Sequence, residues 1–180
     1  MFLDRDGVIN IDRGYVYRIE DFEFIEGIFD LCRIARELGY LIIVVTNQAG
    51  IGRGYYTEQD FLKLTDWMCD VFKRNGAVID GVFHCPYHPR HGVGQYKKES
   101  ADRKPAPGMI LQAVKKFDVD VTQSVLVGDK ASDIEAGVAA GIGCNLLLRA
   151  PGAPCPEASA ATALIGKLSQ AEPFLRMLTP

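Results

Sequence analysis

The sequence predicts an α/β fold: a parallel sheet flanked by helices on both faces, with no separate cap domain. Short apolar runs rich in β-branched residues alternate with segments of helical periodicity. Leu41 to Val45 is apolar throughout, as suits a strand covered on both faces. The stretches between the polar clusters that end these runs are too short to hold a second domain, so residues 1–180 read as one domain.

In order along the chain, Phe2-Leu3 is a very short first strand. Ile28, Leu31, Ala35 and Leu38 come next at helical spacing and stop at Gly39. After the Leu41–Val45 strand, Thr57 with Asp60 opens a helix as a capping box. Its buried face is expected to be Phe61, Leu64, Met68, Val71 and Phe72, and Gly76 ends it. Val82-Phe83 reads as a strand or an edge segment. Pro107 sits near a helix start, where a missing N–H costs nothing, and Ile110, Ala113, Val114 and Phe117 share one face of that helix. Ser124–Val127 is a buried strand. Ser132 and Glu135 form a second capping-box pattern, in a helix ending at Gly141. Asn145–Leu148 is the last strand, and the Pro/Ala-rich segment Ala150–Ala161 is a loop before a terminal helix.

The composition excludes several function classes. The chain is 48% hydrophobic with a formal net charge of −3 and a pI near 5.6, which gives no basic footprint for nucleic acid or an anionic membrane. No apolar run approaches the roughly 20 residues that cross a bilayer. Charge comes directly after Phe2-Leu3, so no signal-peptide apolar region is present and the cytoplasm is the default location. The cysteines Cys32, Cys69, Cys85, Cys144 and Cys155 are scattered and odd in number, unlike a disulfide framework. Cys32, Cys69 and Cys144 read as small core residues. No self-complementary patch is evident, so a monomer is expected.

The polar residues at the ends of the apolar runs carry the chemistry. The first run ends in Asp4-Arg5-Asp6-Gly7, the second in Thr46-Asn47-Gln48, and a later one in Gly128-Asp129-Lys130. In a parallel sheet these endings share one edge, the carboxyl edge where open α/β sheets bind ligands. Side chains alternate along a strand, so Asp4 and Asp6 converge only where the chain turns, which Gly7 permits. Arg103-Lys104 precedes a helix and can bring cations to the same crevice. Each has a blander reading: Thr46 as a turn cap, Asp129 as turn chemistry, Lys104 as a solvated charge. All four coinciding by chance is the weaker account. The set suits phosphoryl transfer, in which a protein mainly positions and neutralises. Asp4, Asp6 and Asp129 offer hard oxygen ligands for Mg²⁺. Asp133, one turn after Asp129, either holds a metal-bound water or is a first-turn acid favoured by the helix dipole.

The order D-x-D-G, T-N, R-K-P, G-D-x-x-x-D resembles the haloacid dehalogenase-like phosphohydrolases over nearly the whole chain. The resemblance implies a Rossmann-like core, Mg²⁺ and an aspartyl-phosphate intermediate. By position, Asp4 is the nucleophile, and Asp6 is the general acid for the leaving alcohol and then the base for water. Asp4, the Asp6 carbonyl and Asp129 hold the metal, and Thr46 and Lys104 steady the phosphoryl group. The longer strings Phe2–Gly7, Asp12–Val16, Thr46–Gly54 and Arg103–Met109 resemble the heptose bisphosphate phosphatase subfamily, with histidinol-phosphate phosphatases as relatives. That implies a small sugar bisphosphate substrate, on the way to nucleotide-activated heptose for surface glycans. It also implies substrate contacts at Asp12, Arg13, Gly14, Tyr15, Asn47, Gln48, Ala49, Arg53, Arg103 and Lys130. The extra cations suit a second dianion, which Arg grips bidentately. With no cap, the loops near Tyr15, Arg53 and Cys85–Asp102 are expected to shape the pocket.

The chain departs from the subfamily at its zinc loop. Tyr87 stands where a ligand His is usual, and Ser100-Ala101-Asp102 replaces Cys-x-Cys. A structural zinc site needs about four thiolate or imidazole ligands, so no zinc is expected, although His84, His88 and His91 cluster around Cys85.

Overall fold

The computed structural model describes residues 1–149 and 160–178. Six parallel strands form one sheet in the order β3-β2-β1-β4-β5-β6. β1 is Phe2–Leu3, and helix α1 is Ile28–Glu37. β2 (Ile43–Asn47), the single-turn α2 (Ala49–Gly52) and α3 (Glu58–Arg74) come after it. β3 (Gly81–Cys85), α4 (Gly108–Phe117) and β4 (Val125–Gly128) are next. α5 (Ala131–Ala140), β5 (Cys144–Leu148), β6 (Ala163–Ile165) and α6 (Glu172–Leu178) complete the chain. The expected α/β class with helices on both faces is what forms, and no cap domain interrupts the described residues.

Alternation along the strands divides the core. Leu3, Val44, Val127 and Leu146 face one way and meet α1, α3 and α6 through Leu31, Met68 and Leu175. Phe2, Ile43, Val45 and Leu126 face the other way and meet α4 and α5 through Ile110 and Ile134. Both faces being covered explains why β1, β2 and β4 lack polar residues until their ends. The strand order turns back at β1, which pairs with β2 on one side and β4 on the other. This is the topological switch point, where the crossovers diverge and leave a crevice.

Several element boundaries move from the sequence reading. β2 begins at Ile43 and runs through Asn47, because Thr46 and Asn47 pair with His84 and Cys85 of the edge strand β3. The Thr57–Asp60 capping box forms. On α3, however, Thr65 is buried where Val71 was expected and Val71 is only partly covered. The Ser132–Glu135 box does not form. Lys130 is the cap position, and the Asp133 carboxylate accepts the Lys130 N–H at 3.0 Å. An ionised acceptor at a helix N-terminus is the stronger ligand for those N–H groups. The short strand β6 was unforeseen, and all but the last two residues of the expected Ala150–Ala161 loop lie outside the described residues, as does Cys155. Cys32 and Cys144 are buried core thiols, and Cys69 is partly exposed. Among the described residues, no helix is long and apolar enough to cross a membrane.

Candidate active site

The register of β1 fixes the centre of the site. The Asp4 N–H donates to the Val127 carbonyl at 3.0 Å, which carries Asp4 one residue past β1 alongside the end of β4. Gly7 then turns the chain at φ +93, and its missing side chain leaves room for Asp129: a Cβ there would lie 2.2 Å from Asp129 Oδ2. Asp4, Asp129 and Asp133 each present a carboxylate oxygen within 4.8 Å of one another. Asp129 Oδ1 is buried and has no hydrogen-bond partner among the described residues. Hard oxygen donors with an unused lone pair suit a small divalent cation that keeps some of its waters. Asp133 takes the place of a first-turn acid at the start of α5. It accepts from the Asp129 and Lys130 N–H groups, and its carboxylate also belongs to the acid cluster.

Lys104 reaches this cluster from 57 residues beyond Asn47 in the chain because the Asn47 amide imitates a strand partner. It donates to the Lys104 carbonyl at 3.0 Å and accepts the Lys104 N–H at 3.1 Å. The ammonium group then meets Asp4 Oδ1 at 2.9 Å, Asp133 Oδ1 at 2.7 Å and the Val45 carbonyl at 2.8 Å. An ammonium has three hydrogens, and all three are taken, so in this arrangement Lys104 neutralises two buried carboxylates.

Asp6 lies beside the centre in its own cage of donors. Arg5 Nη2 lies 2.9 Å from both of its oxygens and also donates to the Val16 carbonyl. Asn10 Nδ2 donates to Oδ1 at 3.1 Å, and Gln48 Nε2 to Oδ2 at 3.0 Å. The second hydrogen of Gln48 goes to Thr46 Oγ1 at 2.8 Å, and Tyr56 donates to Gln48 Oε1 at 2.5 Å. Sequence reasoning missed Arg5, Asn10 and Tyr56. Arg5 carried a signal, being a buried cation between two acids directly after an apolar strand.

Asp4, Asp6, Thr46, Lys104 and Asp133 line a cavity of about 470 Å³, within the usual range for small-molecule sites. Asp12, Gly14, Tyr15, Asn47, Gln48, Ala49, Arg103 and Lys130 contribute to its wall. Lys130 pairs with Asp12 at 2.9 Å and closes one side. Arg103 is held by the Tyr87 carbonyl at 3.1 Å, which ties it to the loop after β3. Arg53 stacks on Tyr15, itself edge-on to Tyr55 at 4.8 Å, so the rim is aromatic and cationic. Arg13 does not line the cavity and pairs instead with exposed Glu23 at 2.5 Å. On β3, His84 packs on Phe61 at 4.3 Å, and in the loop after it His88 Nδ1 accepts two backbone N–H groups. Burial pushes the Cys85 thiol up, away from the thiolate form that binds metals. Among the described residues, Asp4, Asp129 and Asp133 are the one group of three or more His, Cys, Asp or Glu with converging donor atoms.

The acids of the centre are electrostatically costly. Burial, set against Lys104 and reinforced by Asp133, raises Asp4 to about 6. Burial and the neighbouring Asp4 raise Asp129 to about 7. Both values lie above the unfolded value of about 4. Folded protein therefore binds more protons than unfolded protein, so the contribution of these groups to stability is complete below about pH 4 and is lost as pH rises through 6 and 7. In EDTA, Tm should fall between about pH 5 and pH 7.5, and millimolar Mg²⁺ should remove most of that fall by binding the ionised cluster. A flat Tm profile, unchanged by Mg²⁺, would contradict this electrostatic picture.

Residues 101–166 match the HAD-hydrolase-like family. A D-glycero-alpha-D-manno-heptose-1,7-bisphosphate 7-phosphatase of Burkholderia mallei is 58% identical over 175 residues, covering 97% of this chain and 92% of the relative. A D-glycero-beta-D-manno-heptose-1,7-bisphosphate 7-phosphatase of Vibrio cholerae is 49% identical, covering 92% of this chain and 88% of the relative. The crystal structure of a D,D-heptose 1,7-bisphosphate phosphatase from B. bronchiseptica, complexed with magnesium and phosphate, superposes with a TM-score of 0.80 at 26% identity, covering 98% of this chain and 97% of that one. With acids, lysine and amide gathered at the switch point of such a sheet, the chain belongs to the heptose-1,7-bisphosphate 7-phosphatase family of HAD-like hydrolases.

Proposed function

We propose that the protein removes the 7-phosphate from D-glycero-D-manno-heptose 1,7-bisphosphate through an aspartyl-phosphate on Asp4. The observation that carries this reading is the pairing of Asp4, at the centre of the acid–lysine cluster, with a second carboxyl, Asp6, held apart from that cluster by Arg5, Asn10 and Gln48. That separation supports one carboxylate as the attacking group and the other as the proton carrier. Asp4 forms a bond to phosphorus as the bond from phosphorus to the C7 oxygen breaks, and protonated Asp6 gives its proton to that oxygen. Asp6 then takes a proton from water as the water attacks phosphorus, releasing phosphate and free Asp4. Asp4 and Asp129, with the Asp6 carbonyl, would hold Mg²⁺, which would neutralise charge on the phosphoryl oxygens. Thr46 offers a hydroxyl to those oxygens. Arg103, Lys130 and Arg53 are the cations available for the phosphate that stays on the sugar, and Asp12, Gly14, Tyr15, Asn47, Gln48 and Ala49 complete the proposed substrate wall.

Identity is greater to the relative named for the alpha anomer than to the one named for the beta anomer, 58% against 49%, and we assign the alpha anomer as the preferred substrate. Steady-state kinetics with both anomers and histidinol phosphate test this. The alpha bisphosphate should have the highest kcat/KM, and a higher value for histidinol phosphate would overturn the substrate assignment. The zinc loop is proposed to be metal-free, on the loss of ligand residues and the raised Cys85 thiol. Elemental analysis of purified protein should find far less than one zinc per chain, and a stoichiometric zinc whose chelation unfolds the protein would refute it.

A further inference from the structure

The hydrogen bonds behind Asp6 have a direction. The phenol of Tyr56 donates to Gln48 Oε1, so the Gln48 NH₂ group faces Asp6 Oδ2 and Thr46 Oγ1. An amide can also sit the other way round. Inverted, Gln48 would aim its carbonyl at the Asp6 carboxyl, repelling the carboxylate or capturing the acid's proton. Gln48 is 1% exposed and Tyr56 5%, so water does not compete for these contacts. The Tyr56 ring is itself fixed. It stacks on Tyr17 at 5.0 Å with the planes 6° apart, and a Cβ on Gly50 would lie 2.2 Å from its Cε1. Burial raises the phenol above its ordinary value, which keeps it a donor at neutral pH.

We infer that Tyr56 is a positioning residue: its hydroxyl sets which way round the Gln48 amide sits, and through that amide it holds the Asp6 carboxyl where it can pass a proton to the leaving alcohol. This rests on the roles proposed for Asp4 and Asp6. The test is Tyr56→Phe, which keeps the stacked ring and removes one oxygen, measured on two substrates. The sugar phosphate leaves as an alkoxide and needs the Asp6 proton; p-nitrophenyl phosphate leaves as a stabilised phenolate and hardly does. The variant should lose roughly 10- to 100-fold in kcat on the sugar phosphate and no more than about threefold on the aryl ester, with KM little changed on either. In a Gln48→Met background the same Tyr56→Phe change should have no further effect on the sugar phosphate. Equal losses on both esters, no loss on the sugar phosphate, or an undiminished effect without the Gln48 amide would each overturn the inference. Aryl ester turnover by the variant also shows that the site has folded. The underlying roles fail separately, if wild-type turnover of the aryl ester survives Asp4→Asn.

Discussion

Asp4→Asn is expected to lower kcat by at least about 10⁴-fold, because the proposed nucleophile and a proposed metal ligand are lost in one step. The same substitution should leave the fold in place. Asp4 is 6% exposed and its carboxyl is raised to about 6, so its ionised form costs stability at neutral pH. Asparagine carries no charge to desolvate, and Lys104 keeps Asp133 at 2.7 Å. In EDTA near pH 7.5, Tm of the variant should therefore equal or exceed that of the wild type. Thermal denaturation and turnover measured on one preparation check both halves. A variant that keeps more than about a tenth of wild-type turnover would contradict the nucleophile assignment.

The other large effect should come from Lys104→Met. The ammonium group neutralises Asp4 and Asp133, and its side chain is 2% exposed. Removing it leaves two acids buried without their cation, a change that costs roughly 3–5 kcal/mol in comparable sites. Urea denaturation in EDTA should show a loss of that order near neutral pH and a smaller one near pH 5, where Asp4 is largely protonated. Activity should fall with it, since the unpaired acids repel the phosphate dianion. A loss below about 1 kcal/mol would mean that the pairing is solvent-screened, as at a surface.

Much of this was legible in the chain because each strand announces its own end. Phe2-Leu3, Leu41–Val45 and Val125–Val127 are apolar until the sheet edge, and the first polar residues after them are those of the acid and amide cluster. Parallel pairing alone then brings Asp4, Thr46 and Asp129 together. Lys104 was foreseen by motif, but its route was not. The Asn47 amide that docks Lys104 acts across 57 residues and leaves no periodic trace. Asn10 and Tyr56 were missed because their bonds to Asp6 and Gln48 come from loop turns without periodicity, whereas Arg5 stood in view between two acids. The Ser132–Glu135 pattern misled because a better acceptor, Asp133, stands beside it. β6 is only three residues long and lies at the sheet edge, where hydrophobic alternation is too short to read.

The central claim is a covalent bond between Asp4 and phosphorus. Enzyme mixed with excess sugar bisphosphate in Mg²⁺, quenched in acid within one turnover and digested, can be read by mass spectrometry. One phosphoryl group on the peptide carrying Asp4, absent from Asp4→Asn and unaffected by substitution of Ser132, is the expected result. Product released in the first turnover with no phosphorylated peptide, or with the phosphoryl group on another residue, would contradict the account.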